Sequence, residues 1–297
     1  MNFQIETTSV CDLKCGYCPN KDMVRKRQFM AMDVWETILE KYVAPFKERN
    51  RHCPPTLINH KDGEPLLNKR FTEMLGIASA MLPDIKIDVY SHGLMLPTWR
   101  ARGNDFISFL GSLPNKCRYL MSYHPFNHDG SKNDYAATNA YMRDMLQAPP
   151  GNVEFIMVSH LSKHVSKDEL LAWRDSWTPE INRRVLTVHA NVGINPWTGR
   201  IDEPGTVEFN GCPYGDFGHM FFGVTGNVIA CCMDLEEEIV FGNVLTDSPD
   251  AMFAKLTEFY AEQQRIARDK TGLVHEVCRD CMGMGKRADL LQVGMKA

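Results

Sequence analysis

Ser9-Val10-Cys11-Asp12-Leu13-Lys14-Cys15-Gly16-Tyr17-Cys18 places three cysteines on one short loop, spaced three residues and then two residues apart. Three thiolates cannot close a four-coordinate metal site. An iron–sulfur cluster normally takes four cysteine ligands, so this triplet implies either a distant fourth ligand or an iron that keeps one position for an exogenous molecule. Zinc is the alternative occupant, but zinc sites are usually built from two separated cysteine pairs rather than an isolated triplet. The apolar, β-type run Phe3–Val10 precedes the loop directly, so the cysteines are expected at the C-terminal end of a first strand.

Outward from this loop, the chain alternates β-type and helix-type stretches as far as about residue 195, the pattern of a parallel sheet with crossover helices. Strands are expected at Phe3–Val10, Thr56–His60, Ile85–Tyr90, Arg118–Ser122, Val153–Ser159 and Val185–Asn191. Helices are expected near Asp33–Tyr42, Arg70–Met81, Thr98–Leu110, Asn139–Leu146 and Lys167–Trp177. Asp33…Glu36 and Ser166…Glu169 each have the spacing of a helix-opening capping box. Six β/α units predict an α/β fold built on an open, partial (β/α)6 barrel, with its chemistry at the C-terminal ends of the strands. After Asn195-Pro-Trp-Thr-Gly199 the pattern changes to short strands, many glycines and one long helix near Asp250–Arg268. The expected organisation is therefore a barrel over residues 1–200 and a small α+β domain over 201–297.

Composition narrows the class. The 297 residues carry a net charge of −4 with 44% apolar residues, which argues against a nucleic-acid footprint or a basic membrane-binding surface. With no signal-type N-terminus and no long apolar run, a cytoplasmic location is expected. Ten cysteines in such a chain point to metal or cluster ligation rather than disulfides. Cys53 and Cys117 fit no ligand pattern and are expected to be buried apolar thiols. Arg25-Lys26-Arg27 and Glu236–Glu238 are expected to be solvated loops.

The Cys11–Cys15–Cys18 loop resembles the signature of the radical S-adenosylmethionine (SAM) superfamily. In that family the three cysteines hold a 4Fe-4S cluster, and the amino and carboxylate groups of SAM chelate the fourth iron. Further likenesses fall at the ends of later expected strands. Asp62-Gly63-Glu64-Pro65-Leu66-Leu67 is similar to the family's Gly-Gly-Glu-Pro segment, which meets the SAM amino group, with Asp62 in place of the first glycine. Ser91-His92-Gly93 stands where relatives often have Thr-Asn-Gly, and Ser122 closes strand four where relatives approach the SAM ribose or carboxylate. Tyr17 matches the aromatic position near the adenine. The resemblance thus implies Tyr17, Gly63, Glu64, Pro65, Ser91 and Ser122 as SAM contacts. His60, Tyr123, His124, His160, His189, Asn191 and Asn195 also lie near strand ends, but such groups are mostly satisfied barrel residues and none is assigned a catalytic role.

Toward the C-terminus, Cys212-x13-Gly226-x4-Cys231 and the distant Cys278-x2-Cys281 resemble the SPASM extension of radical SAM enzymes. No cysteine follows Cys281, so the layout is similar to the shortened "twitch" form with one auxiliary cluster. The resemblance implies Cys212, Cys231, Cys278 and Cys281 as the four ligands of an auxiliary 4Fe-4S cluster, with Cys232 competing with Cys231. Four thiolates would saturate such a cluster. Structural zinc would accept the same four.

The motif order is similar to that of twitch-type aminocyclitol (2-deoxy-scyllo-inosamine) dehydrogenases. It implies reductive cleavage of SAM to a 5′-deoxyadenosyl radical, hydrogen abstraction from a small molecule, and a two-electron oxidation with the auxiliary cluster as acceptor. An external one-electron reductant such as flavodoxin or ferredoxin is implied as partner. Oxidative modification or cross-linking of a peptide or protein side chain is the second reading, disfavoured by the mere ten residues before the motif. A non-enzymatic Fe–S or zinc-containing binding or electron-transfer protein is the third.

Overall fold

The computed structural model describes residues 1–16, 18–50, 52–160, 162–191, 212, 218–269, 272 and 275–279. Among them nine strands form one sheet in the order β6-β5-β4-β3-β2-β1-β7-β8-β9. The first six strands are β1 (Asn2–Ile5), β2 (Thr56–Asn59), β3 (Lys86–Ser91), β4 (Lys116–Ser122), β5 (Val153–His160) and β6 (Thr187–Asn191). They lie side by side in chain order, and every pairing between them is parallel. This is the open six-unit barrel expected from the alternating pattern. Strand bounds differ from expectation mainly at β1, which ends at Ile5 because the chain from Glu6 onward leaves the sheet to build the cysteine loop.

The C-terminal part continues the same sheet. β7 (His219–Phe222) pairs in parallel with β1, Phe3 opposite Met220, and β8 (Asn227–Ile229) and β9 (Val240–Asn243) extend it antiparallel. The boundary expected at residue 200 falls outside the described residues.

Helices cover the barrel strands. α1 (Met32–Ile38) and α2 (Ala44–Arg49) are joined by a wider helical turn, Leu39–Val43. There the Ala44 N–H reaches back five residues to Leu39, next to Pro45, which has no N–H to continue the ordinary ladder. The helix was expected to open at Asp33. It opens one residue earlier with Ala31 as cap, and Asp33 instead accepts from the Val34 N–H within the first turn. α3 (Phe71–Met81) buries Phe71, Met74, Leu75 and Ala78, the three-and-four spacing of one helical face, each large side chain stabilising the core by about 1.5–3 kcal/mol. The single helix expected over Thr98–Leu110 is two, α4 (Leu96–Ala101) and α5 (Phe106–Ser112), divided at Gly103 (φ +79°) with Asp105 capping the second through Ser108 N–H. α6 (Ala136–Met145), α7 (Lys167–Asp175) and α8 (Thr178–Asn182) complete the barrel; α9 (Pro249–Asp269) and α10 (Glu276–Arg279) follow β9. α7 opens on the Ser166–Glu169 capping box that its sequence predicts.

The core between helices and sheet is aromatic. Phe3, Trp35, Tyr42, Phe71, Phe106, Tyr119 and Phe222 are fully buried, and Tyr42 meets Phe222 edge-on at 5.3 Å, tying the wider turn between α1 and α2 to β7. Cys117 is buried as expected, but Cys53 is exposed, because the loop after α2 turns outward. No described helix is long and apolar enough to cross a membrane.

Candidate active site: an open three-cysteine set and a second cysteine set

The loop after β1 is pinned by backbone contacts that fix where its thiols point. Ser9 N–H and Met30 N–H bond across the loop to Gln28 and Thr7, Asn20 Nδ2 donates to Ser9 O, and Lys14 O accepts from His128 N–H in the loop after β4. Cys11, Cys15 and Cys18 thereby share one cavity with Gly63, Glu64, Ser91 and Ser122, so the motif residues of four strand ends meet where barrel chemistry is expected. Pro65 starts a single helical turn behind Glu64 and does not line the cavity. Tyr17 lies outside the described residues.

Burial pushes the Cys11 thiol up to about 12, with Glu64 adding to it, and burial likewise pushes Cys18 up to about 12. Cys15 is raised well above its ordinary value by burial and by its two cysteine neighbours. Such thiols become thiolates only when a cation takes the place of their protons. The donor set fits an iron–sulfur cluster held by three cysteines, and loading it would release protons.

Gly63 is the tightest point. A β-carbon there would lie 2.2 Å from Thr8 O and 2.8 Å from Val10 O, and Glu64 N–H donates to Val10 O at 2.8 Å. The segment similar to the family's SAM-binding turn is thus pressed on the cysteine loop. Glu64 is fully engaged: its carboxylate accepts from Ser91 Oγ (2.7 Å), Leu66 N–H (3.0 Å) and His92 N–H (2.8 Å). It orients the ends of β2 and β3, where Gly63 and Glu64 both line the cavity. His92 Nδ1 accepts from Leu94 N–H, so its Nε2 carries the proton that faces Asp12 at 2.8 Å.

Among the other strand-end residues, His60 and His124 line the cavity, and burial lowers the pKa of both, keeping the imidazoles neutral. Tyr123 turns the other way, stacked on Trp173 at 4.8 Å. Asn195 lies outside the described residues.

Two expectations are corrected here. Lys26, Arg27 and Glu238 are exposed, but Arg25, Glu236 and Glu237 are not solvated; they meet each other. Arg25 is 14% exposed and pairs with Glu6, with Asp62 at 3.0 Å and with Glu237 at 3.3 Å, while Glu236 accepts from the Val24 and Arg25 N–H groups. The cause is the joining of β7 to β1, which brings the loop after β8 onto the cysteine loop. Asp62, the residue in the glycine position, pairs with Lys61 as well, so two buried cations face three buried carboxylates. Sequence reasoning missed this cluster, although Glu6 at the end of an apolar strand was a signal.

Cys212, Cys231 and Cys278 gather at the other end. Burial raises the Tyr260 hydroxyl, which donates to Ala230 O, well above its ordinary value, with the nearby Cys231, Cys212, Cys232 and Cys278 adding to it, and Cys231 is itself raised well above its ordinary value by burial, then by Cys232 and Cys278. Cys281 lies outside the described residues. The thiols present fit an iron–sulfur cluster.

Residues 212–282 match the SPASM family, an iron–sulfur cluster-binding domain. No curated protein matches the chain. The three-cysteine cavity and the open β/α sheet thus share one chain with a C-terminal iron–sulfur cluster-binding domain, the arrangement that the cysteine motifs imply. Among solved structures the chain is similar to BtrN in complex with AdoMet and 2-DOIA, with 18% identity, a TM-score of 0.62 and coverage of 94% of this chain and 91% of that one. It is also similar to anSMEcpe with bound AdoMet, with 15% identity, a TM-score of 0.53 and coverage of 95% and 84%.

Proposed function

We propose that the protein oxidises a small polyol or aminocyclitol by two electrons through SAM-derived radical chemistry. A reduced 4Fe-4S cluster held by the open set would supply the electron that cleaves SAM to methionine and a 5′-deoxyadenosyl radical, and a cluster held by the second set would be able to take up one electron. Cys11, Cys15 and Cys18 hold the first group, and the backbone of Gly63 and Glu64, braced by Ser91, orients the SAM amino group. Abstraction of a hydrogen from a carbinol C–H leaves a carbon radical that must still lose one electron and one proton to become a carbonyl. His60 and His124, neutral and facing the cavity, are placed to take that proton.

The carrying observation is the presence of two cysteine sets in one chain, Cys11, Cys15 and Cys18 on the cavity at the strand ends and Cys212, Cys231 and Cys278 around Tyr260. A redox-neutral rearrangement has no use for the second. BtrN, whose complex holds AdoMet and 2-DOIA, supports the small-molecule reading; anSMEcpe, which has been crystallised with AdoMet and Cp18Cys peptide, favours a peptide as the second.

Anaerobic reconstitution is expected to give about eight irons per chain, dithionite with SAM to release 5′-deoxyadenosine, and Cys15→Ala to abolish the release. An aminocyclitol substrate should lose two hydrogens for each 5′-deoxyadenosine formed. Absence of 5′-deoxyadenosine under every reducing condition overturns the radical reading, about four irons overturns the auxiliary cluster, and a product of unchanged mass overturns oxidation.

A further inference from the structure

A chain of buried hydrogen bonds connects the two cysteine sets, and the chemistry above makes no use of it. Lys61 stands at its centre with a side chain that is 1% exposed. Its Nζ donates to the Asp62 carboxylate and, at 2.9 Å, to the backbone oxygen of Asp234. Asp234 closes the turn that begins at Cys231: its N–H donates to Cys231 O at 3.3 Å, and its carboxylate accepts from Glu238 N–H (2.8 Å) and Ile239 N–H (2.9 Å). On the other side, the Asp62 carbonyl accepts from Asn20 Nδ2 at 2.5 Å, two residues beyond Cys18, and Gly63 follows Asp62 directly. One side chain therefore spans from the turn that faces SAM to the turn that carries Cys231.

A buried ammonium is costly unless paired and hydrogen-bonded, and an apolar side chain would fill the same space more stably. What the ammonium adds is geometry. It holds a backbone oxygen of one turn and a carboxylate of the other at fixed distances, so neither turn can shift without the other.

We propose that Lys61 is a positioning residue that couples SAM occupancy at Gly63–Glu64 to the order of the Cys231–Asp234 turn. This rests on reading the two cysteine sets as SAM-cluster and auxiliary-cluster sites. SAM held against the Gly63 and Glu64 backbone fixes Asp62; Lys61 passes that constraint to Asp234 and so to Cys231. By linkage, a loosened Cys231 turn weakens SAM binding by the same factor.

The test is amide hydrogen exchange of residues 231–239 in the reconstituted protein, with and without SAM and without reductant, alongside SAM binding by equilibrium dialysis. In the wild type, SAM should slow exchange of this turn by about tenfold. Lys61→Met, one atom shorter and uncharged, should keep its iron and lose the slowing, with SAM bound about five- to tenfold more weakly. Asp62→Asn, which keeps Lys61 and its bond to Asp234, covers the case in which Lys61→Met does not fold, and should reduce the slowing. Wild-type exchange indifferent to SAM, or slowing undiminished in the folded variants, overturns the proposal. If SAM does not bind at all, the two-site reading itself fails; if it binds and is cleaved on reduction while the turn is indifferent, only the coupling fails.

Discussion

A β-carbon on residue 63 would sit 2.2 Å from Thr8 O and 2.8 Å from Val10 O, backbone atoms with no side chain to swing aside. Gly63→Ala must therefore push the turn off the cysteine loop. We expect it to cost about 1–3 kcal/mol of stability and to remove SAM binding together with iron at the first set; a variant that keeps both would contradict the packing described. Gly223 is the milder counterpart, since its β-carbon would meet the flexible end of Glu237 at 2.1 Å. Gly63, Glu64 and Ser91 could be found from the sequence because each stands in a short motif at a strand end. Arg25 could not, because a basic triplet and an acidic triplet look solvated when read alone. Their partnership spans more than two hundred residues and exists only once β7 pairs with β1.

Elements were legible where their signals are local. Ser166 and Glu169 are three residues apart and make both bonds of a capping box: Glu169 N–H donates to Ser166 Oγ at 3.3 Å, and Ser166 N–H to Glu169 Oε2 at 2.8 Å. Asp33 and Glu36 have the same spacing and fail, since Ala31 and Met32 extend the helix past the would-be cap. The split between α4 and α5 turns on Gly103 adopting a positive φ, which a periodic apolar pattern does not record. Ser166→Ala should cost about 1 kcal/mol in chemical unfolding. α7 does not line the cysteine cavity, so SAM affinity should be unchanged in the same variant. A loss of SAM binding would mean that α7 and its Trp173–Tyr123 stack support the site from behind.

Across the whole molecule, the barrel and the cluster-binding domain are joined by a sheet edge and by the buried charges of Glu6, Arg25, Lys61, Asp62 and Glu237. Glu6 stands at the centre of that junction: it accepts from Arg25 on the cysteine loop and, at 3.0 Å, from Val224 N–H beyond β7. With two cations against three carboxylates, the cluster carries one negative charge too many for a buried site. Burial accordingly raises Glu6 from its ordinary 4.5 to about 7, against the pull of Lys61 and Arg25. A carboxyl whose folded pKa lies above its unfolded one favours the folded state most when protonated. Its contribution is fully present below about 4.5 and is lost as pH rises through about 7. The wild type should therefore lose stability between pH 5 and pH 8 relative to Glu6→Gln, whose neutral amide does not titrate. The difference between the two proteins should change by on the order of a few kcal/mol across that window. Urea unfolding of both at the two pH values measures it. A difference that stays constant would mean that Glu6 remains ionised throughout, with Arg25 and Lys61 outweighing its burial, and that the excess charge of the junction rests on another carboxylate.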